Sequence, residues 1–231
     1  MKIIPTLIYV KFVKRYKRFF ADVILKKKKI TAHCPNSGSM LGLLNEYSDA
    51  WISKSDNPNR KLKFTLEIIN DKKSNVGVNT HRANRIVEEA LQNKKVVELK
   101  KFTSIKREVK FSKETRFDFM LENRSNKAFL EVKNVTLSRE KGISEFPDAV
   151  TTRGKKHLVH LQDAIRKGYE SYLLFLIQRE DIKIMKIASD IDIDYFNEIK
   201  KAKKKGVKIL AYSCKVKDNE ITINKKIKIM I

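Results

Sequence analysis

Cysteine is scarce in this chain, and its placement excludes two kinds of protein. The cysteines are Cys34 and Cys214, two among 231 residues, and they form no C-x-x-C pair. A zinc cluster needs closely spaced thiolates, and a small disulfide scaffold needs several cysteine pairs. Two distant thiols are typical of a protein kept in a reducing compartment, so we expect a cytoplasmic location.

Long apolar runs are missing as well. Residues 1–25, where a secretory signal would lie, contain the charged stretch KFVKRYKRFF at residues 11–20. A membrane-spanning helix needs about 20 consecutive, mostly apolar residues. A signal peptide needs an uninterrupted apolar centre. We therefore expect neither a signal sequence nor a membrane partner.

Acidic residues are few beside the basic ones. The chain has 51 Lys and Arg against 27 Asp and Glu, a formal net charge of +24. Such a surface attracts polyanions, nucleic acid first and anionic membrane second. An AT-rich genome would explain the preference for lysine over arginine, but it does not explain the shortage of acids. Because 42% of the residues are hydrophobic, the chain can form a core and is not a disordered basic tail.

The first eighty residues have the pattern of a small β-barrel. Short runs rich in β-branched and aromatic residues alternate with turn-forming stretches such as PNSGS at residues 35–39. Many short strands within so few residues predict a barrel, and the OB-fold is the commonest basic type. The predicted strands are residues 3–13, 19–24, 30–34, 50–55, 64–69 and 76–79.

Residues 11–20 interleave cations with aromatic rings. In single-strand binding proteins, cations of this kind hold phosphates while exposed rings stack on bases. The alternative is that the rings belong to the core and the cations are merely solvated. The first eighty residues carry 16 Lys and Arg against 6 Asp and Glu, so we expect this part of the chain to bind DNA. The candidate DNA-binding residues here are Lys11, Lys14, Arg15, Lys17 and Arg18.

From residue 81 onward the pattern is that of an α/β protein. Helical periodicity predicts helices at residues 84–99, 155–167 and 194–205, the first with Asn84 as its N-cap. SYLLFLIQ, residues 171–178, is apolar on both faces, as expected of a central strand covered on both sides. We therefore predict two domains, an OB-like barrel at residues 1–80 and a mixed sheet flanked by helices at residues 81–231.

The stretch RFDFMLENRSNKAFLEVK, residues 116–133, predicts a β-hairpin that brings two acids together. A symmetric turn at ENRSNK places Asp118 opposite Glu131 and Arg116 opposite Lys133. Directly opposed residues have Cβ atoms about 4.5–5.5 Å apart, close enough for two carboxylates to share one cation. A divalent metal with oxygen ligands suits this pair, and Lys133 would stand beside it. The alternative is that these acids are solvated, because such residues are common on hairpins and E-x-K occurs by chance.

Strict alternation assigns the two faces of this hairpin. The acids, with Arg116, Met120, Phe129 and Lys133, fall on the outer face. The inner face is expected to contain Phe117, Phe119, Leu121, Ala128, Leu130 and Val132.

Several longer motifs resemble the sugar fermentation stimulation protein A family. They are AHCPNSGSM (32–40), GVNT (77–80), ANRIVEEAL (83–91), RFDFML (116–121), EVKNVTL (131–137) and FPDAVTTRGKKHL (146–158). The first and last of these together are highly specific. The resemblance implies an N-terminal OB-fold, a PD-(D/E)xK nuclease-like domain, DNA binding and a role in regulating sugar (maltose) utilisation. One departure from the nuclease motif is Phe117, which stands where the superfamily commonly has proline.

The resemblance also implies roles for individual residues. Asp118 matches the first acid of the nuclease-like motif, Glu131 and Lys133 match its E-x-K, and Glu89 matches an acid often contributed by the preceding helix. Mg²⁺ or Mn²⁺ would then be bound by Asp118, Glu131 and the Val132 carbonyl, with Glu89 as a further ligand through water.

The motif FPDAVTTRGKKHL adds further candidates. Arg153 and Lys156 are expected to contact phosphates near the metal, whereas Asp148 has no fixed role in the nuclease scheme. His157 and His160 are three residues apart on a predicted helix, a spacing that could bind metal, but we expect them to add polar or basic surface.

Two functions from different classes follow. One is a DNA-binding protein that uses phosphate contacts with little base readout, since lysine-dominated charge is spread over many segments. The other is a Mg²⁺- or Mn²⁺-dependent endonuclease that hydrolyses phosphodiester bonds at Asp118, Glu131 and Lys133. Duplex DNA is the expected partner, although the residues do not distinguish it from single-stranded DNA or RNA. The oligomeric state stays open, a homodimer included.

Overall fold

The first part of the chain forms a closed five-stranded barrel. The structure is a computed structural model, and it describes residues 1–112 and 114–231. The strands are β1 (Ile8–Tyr16), β2 (Phe20–Leu25), β3 (Lys28–His33), β4 (Asp49–Lys54), β5 (Phe64–Asn70) and β6 (Asn75–Gly77). They pair in the order β3-β2-β1-β4-β5, and β5 pairs again with β3, which closes the barrel and confirms the predicted OB-like architecture. The short strand β6 extends the sheet beyond β5.

The predicted first strand starts too early, because the chain before Ile8 packs elsewhere. Met1 and Ile3 are buried in a core cluster that belongs mainly to the second half of the chain. The Ile3 N–H donates to the Asn219 carbonyl, and the N-terminal ammonium donates to the Ile221 carbonyl at 2.8 Å. These residues therefore join the second unit in space, although they precede the barrel in sequence.

The strands and helices that follow the barrel in sequence are here called the sheet unit. Its strands are β7 (Ser104–Lys110), β8 (Arg116–Glu122), β9 (Lys127–Val135), β10 (Ile143–Phe146), β11 (Glu170–Ile177), β12 (Ile184–Ile187), β13 (Lys208–Lys217), β14 (Glu220–Lys226) and β15 (Lys228–Met230). Six of them form a mixed sheet in the order β14-β13-β11-β9-β8-β7, and three form a small parallel sheet in the order β10-β12-β15. As predicted from its apolar composition, β11 is central, parallel to both neighbours and almost entirely buried.

Helices cover both faces of the main sheet. α1 (Ala83–Gln92) packs on one face, and α2 (Thr152–Arg166) and α3 (Ile193–Lys204) pack on the other. Among the described residues, no helix is long and apolar enough to cross a membrane.

The first helix is shorter than predicted. It ends at Gln92, and Lys94 then adopts a positive φ of 54°, which a continuous α-helix does not allow. A separate 3₁₀ turn follows at Val97–Leu99. The predicted N-cap was also wrong, because the helix begins one residue earlier and Asn84 lies inside its first turn.

The hairpin has the predicted register at its paired end. β8 and β9 pair from Glu122 with Lys127 to Phe119 with Leu130, which is one step short of Asp118 and Glu131. The ladder stops there, so the predicted pairing of Arg116 with Lys133 was wrong. On the other side of β8, Arg116 pairs with Lys110 of β7.

Strict alternation also fails at Asp118. Phe117 packs against Phe129 in the α2 and α3 core, with ring centroids 4.9 Å apart, whereas Phe119 packs on the α1 side. The β7–β8 ladder skips the position where Glu108 would pair with Asp118, and Glu108 has a positive φ of 51°. This break in the ladder is the physical reason why Phe117 lies on the opposite face from the prediction.

Candidate metal and nucleic-acid site

Asp118 is held in place by two different elements. Asn84 of α1 donates its side-chain amide to Oδ1 at 2.7 Å, and the backbone N–H of Val132 in β9 donates to Oδ2 at 2.8 Å. Burial, together with the negative charge of Glu131, raises the pKa of Asp118 to about 6. The carboxyl is thus fixed in position, and its ionised form lacks a full counter-charge.

Glu131 lies in the interior rather than on an outer face, because α2 covers this side of the hairpin. Only 3% of the residue is exposed. Its Oε1 accepts hydrogen bonds from Lys133 Nζ at 2.7 Å and from His157 Nδ1. Burial acts to raise the pKa of Glu131, but the charge of Lys133 and the hydrogen bond from His157 outweigh it and hold the pKa below its ordinary value.

The second oxygen of Glu131 is different. Oε2 is buried and has no hydrogen-bond partner among the residues that the structure describes. A buried ionised oxygen without a partner is costly, because it has lost its water and gained nothing in return.

His157 is part of this site, which the sequence interpretation missed. It is buried on α2, not on the surface as expected, and Arg153 Nε approaches its Nε2 at 3.4 Å. The Nε2 atom therefore accepts, and Nδ1 carries the proton that is donated to Glu131. His160 contacts Thr115 instead, so the two histidines do not converge on one metal. The helical periodicity of the sequence could have indicated that His157 is buried, since it lies on the same side of α2 as the buried Leu158 and Leu161.

Glu89 does not reach the site, which corrects its predicted role as a ligand. Its carboxylate accepts from the N-terminal ammonium of Met1 at 2.7 Å. Five residues along a helix correspond to a rotation of about 140°, so Glu89 points away from the side on which Asn84 contacts Asp118. The α1 residue at the site is therefore an amide, not an acid.

A cavity of about 620 Å³ opens in front of the two acids. It is lined by Asp118, Glu131 and Lys133 of the sheet unit, by residues 145–151, and by residues 36–38 of the barrel. The site therefore lies between the two halves of the chain.

Asp148 joins the two sides of this cavity. Its Oδ2 accepts from the Met40 N–H at 3.3 Å and from Ser39 Oγ at 3.4 Å. A Cβ placed on Gly38 would lie 2.2 Å from the same Oδ2 atom, so this close approach requires glycine.

Arg15 supports the same barrel loop from behind. Its guanidinium donates to the carbonyls of Asn36, Gly38 and Ser39 at 2.6, 2.9 and 3.1 Å. These contacts use several of the donors with which Arg15 was predicted to bind a DNA phosphate, so the structure gives Arg15 a role in supporting the loop.

The other predicted basic residues lie in two places. Arg153 and Lys156 are exposed on α2 and line a cavity of about 440 Å³ that also includes Asp118. They are therefore close to the acids, as expected.

On the barrel, the predicted DNA-binding cations differ in their contacts and in their exposure to solvent. Lys11 pairs with Asp49 at 2.6 Å, and Lys14 lies over the Tyr16 ring, 5.6 Å from its centroid. Lys17 and Arg18 are exposed in the β1–β2 turn. Among the interleaved rings, Phe12 lies in the core, whereas Tyr16 and Phe19 are 36% and 44% exposed. The stretch at residues 11–20 therefore contains both core rings and exposed rings.

The donor set at the acids is small. Within residues 1–112 and 114–231, no group of three or more His, Cys, Asp or Glu side chains is arranged to hold a metal ion. The site offers two carboxylates, and other ligands would have to be backbone oxygen or water.

Comparison with known proteins assigns both halves of the chain to one family. Residues 13–78 match the family model described as SfsA N-terminal OB domain, and residues 81–220 match the model described as Sugar fermentation stimulation protein RE domain. The sugar fermentation stimulation protein homolog of Pelagibacter ubique is 57% identical over 230 residues, covering 100% of this chain and 99% of that one. The homolog of Agrobacterium fabrum is 41% identical, covering 97% and 95%.

A solved structure shares the fold. SfsA of Pyrococcus furiosus matches with a TM-score of 0.90 over 100% of both chains, at 23% sequence identity. Together with the two family models, these relatives show that the chain belongs to the sugar fermentation stimulation protein (SfsA) family, as its motifs predicted.

Proposed function

We propose that this protein binds DNA through phosphate contacts and holds a divalent cation, Mg²⁺ or Mn²⁺, between Asp118 and Glu131. The observation that carries the metal half is the buried Glu131 Oε2 atom, which has no partner among the described residues. A cation between the two acids would satisfy this oxygen and offset the burial and the repulsion from Glu131 that together raise the pKa of Asp118.

The residues present fit such an ion. Each oxygen of Asp118 accepts one hydrogen bond and keeps a second lone pair. Two carboxylates and the Val132 carbonyl suit Mg²⁺, which is usually bound by one or two carboxylates and keeps several waters. SfsA of Pyrococcus furiosus was solved in complex with Ca²⁺, another cation that prefers oxygen ligands.

The DNA half rests on charge and its position. The net charge is +24, and the exposed cations Arg153 and Lys156 line a cavity beside Asp118. Lys14, Lys17 and Arg18 offer further phosphate contacts on the barrel surface. Lysine-dominated contacts position a protein on DNA without reading its sequence. The family's name connects it with sugar fermentation, and on that ground alone we propose a role in regulating sugar (maltose) utilisation.

The binding mode is tested by titrating a labelled duplex at several salt concentrations. The logarithm of the binding constant should fall by about 0.9 for each phosphate neutralised, per decade of salt. A constant that does not change between low and physiological salt contradicts phosphate-based binding. Competition with random DNA separates the regulatory alternative, because a specific operator should bind about 10³-fold more tightly or better.

Lys133 favours a second candidate, a metal-dependent DNA endonuclease of the PD-(D/E)xK type. Its ammonium group lies 2.7 Å from Glu131 Oε1 beside the cavity, and a passive binding site gives it no obvious duty. A bound Mg²⁺ or Mn²⁺ would supply a more acidic water and neutralise charge on the phosphate. Lys133 would then orient the attacking water or stabilise the developing negative charge, while Asn84 and His157 keep the two acids in position.

Incubation with supercoiled plasmid and Mg²⁺ or Mn²⁺ decides between the two candidates. The wild type is compared with Asp118→Ala and Lys133→Ala. Cleavage that both variants lose establishes the enzyme. If all three proteins bind DNA equally and none cuts it with either metal, the endonuclease candidate is wrong and DNA binding stands alone.

A further inference from the structure

A second cavity, of about 510 Å³, lies beside the site cavity and shares His81 with it. Its lining comes from three parts of the chain: barrel strands and loops, the N-terminal segment at Ile4 and Pro5, and the start of α1. The basic side chains among these lining residues are His33, Lys54, Arg60, His81, Arg82 and Arg85.

One of these cations is already neutralised within the fold. Arg82 donates to the buried Glu67 carboxylate at 2.8 and 3.1 Å. In the described part of the chain, Lys54, Arg60 and Arg85 form no ion pair, and the lining contains one further acid, the exposed Asp56. The second cavity therefore has more positive than negative charge.

Arg60 is oriented by a histidine that accepts from it. Its NH2 group lies 3.2 Å from His33 Nδ1. Burial, with the charges of Arg60 and His81, lowers the pKa of His33, so the ring is neutral and can accept this hydrogen bond. A guanidinium has five N–H donors, so most of those on Arg60 stay available to a ligand.

We propose that the second cavity binds a phosphoryl group, held by Arg60 and Arg85 with Lys54 and His81 beside them. A guanidinium matches the geometry of phosphate oxygens and can bind two of them at once. Several like charges around one cavity repel each other, and a phosphate dianion would relieve this repulsion more completely than a single carboxylate.

Two sources could supply this group. Because His81 lines both cavities, a nucleic-acid strand in the site cavity could place a phosphate in the second one. A free phosphate compound is the other source. Both share the same chemistry of recognition, and competition distinguishes them.

NMR of the histidine rings tests the proposal directly, because His33 and His81 line the second cavity while His157 and His160 do not. Inorganic phosphate is titrated at constant ionic strength. The His33 and His81 signals should shift saturably, and those of His157 and His160 should stay unchanged. Arg60→Gln and Arg85→Gln should each weaken the binding about tenfold or more, since each removes a charge-assisted hydrogen bond. Arg124→Gln is the matched control. Arg124 is exposed in the β8–β9 turn, and replacing it by Gln changes the net charge by the same amount.

A linear, non-saturating shift overturns the proposal, and so does equal weakening in Arg124→Gln. If a short oligonucleotide displaces the bound phosphate, the source is nucleic acid. If phosphate binds as described and the oligonucleotide does not displace it, the ligand is a free phosphate compound.

Discussion

The barrel buries Glu67 and the sheet unit buries Glu131, and their surroundings are opposite. Both oxygens of Glu67 are satisfied, by Ser53 at 2.7 Å, by Asn79 at 2.8 Å and twice by Arg82. One oxygen of Glu131 has two donors, and the other has no partner among the described residues. A fully bonded buried acid stabilises a fold, whereas a half-bonded one is suited to a ligand that arrives later.

The largest effect should come from Glu67→Gln. The change leaves Arg82, whose side chain is 16% exposed, without its ionic partner. Breaking a buried ion pair typically costs about 3–5 kcal/mol. Urea unfolding measures this loss of stability. A loss below about 1 kcal/mol would contradict the structural role assigned to Glu67 and would remove the contrast with Glu131.

Glu131→Gln should change stability in a different way. Without metal, the variant should lose stability but less than Glu67→Gln, because Glu131 accepts two hydrogen bonds and Glu67 accepts four. With Mn²⁺ at 100 times its dissociation constant, the wild type should gain about 2.7 kcal/mol and the variant should gain none. Thermal unfolding with and without Mn²⁺ measures both effects. Equal stabilisation of the two proteins would show that the metal binds elsewhere.

Gly38→Ala tests whether the barrel loop supports the site. The new Cβ would lie 2.2 Å from the Asp148 carboxylate, which must move and lose its contact with Met40. Because that carboxylate is the end of a flexible side chain, we expect a loss of only about 1 kcal/mol.

A double-mutant cycle provides the control for this prediction. Asp148→Ala removes the clash, so the combined variant should be more stable than the sum of the single effects implies. Strict additivity would mean that the two residues do not interact.

The smallest effect concerns a surface cluster of the sheet unit. Burial acts to raise the pKa of Glu170, but hydrogen bonds from Lys101, Lys208 and Tyr172 outweigh it and lower the pKa to about 2. The stability it contributes is therefore present above its unfolded pKa near 4.5 and is lost as the pH falls toward 2. Since its two lysine partners, Lys101 and Lys208, are exposed, the contribution should be less than about 1 kcal/mol.

Unfolding of Glu170→Gln and wild type, compared between pH 5 and pH 2.5, measures this contribution. The stability difference should shrink toward the acid end. A difference that is constant with pH would contradict the assigned cause.

Local patterns predicted the parts of the site that depend on neighbours in sequence. The symmetric turn at ENRSNK predicted the register of β8 against β9 as far as Phe119 and Leu130, because a hairpin fixes its own register. Arg15 could not be interpreted in this way, since its partners at residues 36–39 lie across the barrel. Glu89 shows the same limit, because the side of α1 that faces Asp118 is set by packing against the sheet.

The contacts of Asp148 with the barrel loop affect how freely the two halves of this chain can be recombined. A chimera that takes its barrel from a relative would replace Ser39 and Met40 but keep Asp148. The barrel loop at residues 36–40 would then come from one parent and residues 146–150 from the other. Changing the linker between the two halves would not restore the contacts of Asp148 with that loop. A chimera should therefore keep its site intact when the barrel loop and residues 146–150 come from the same parent. Its site should be weakened when these two segments come from different parents.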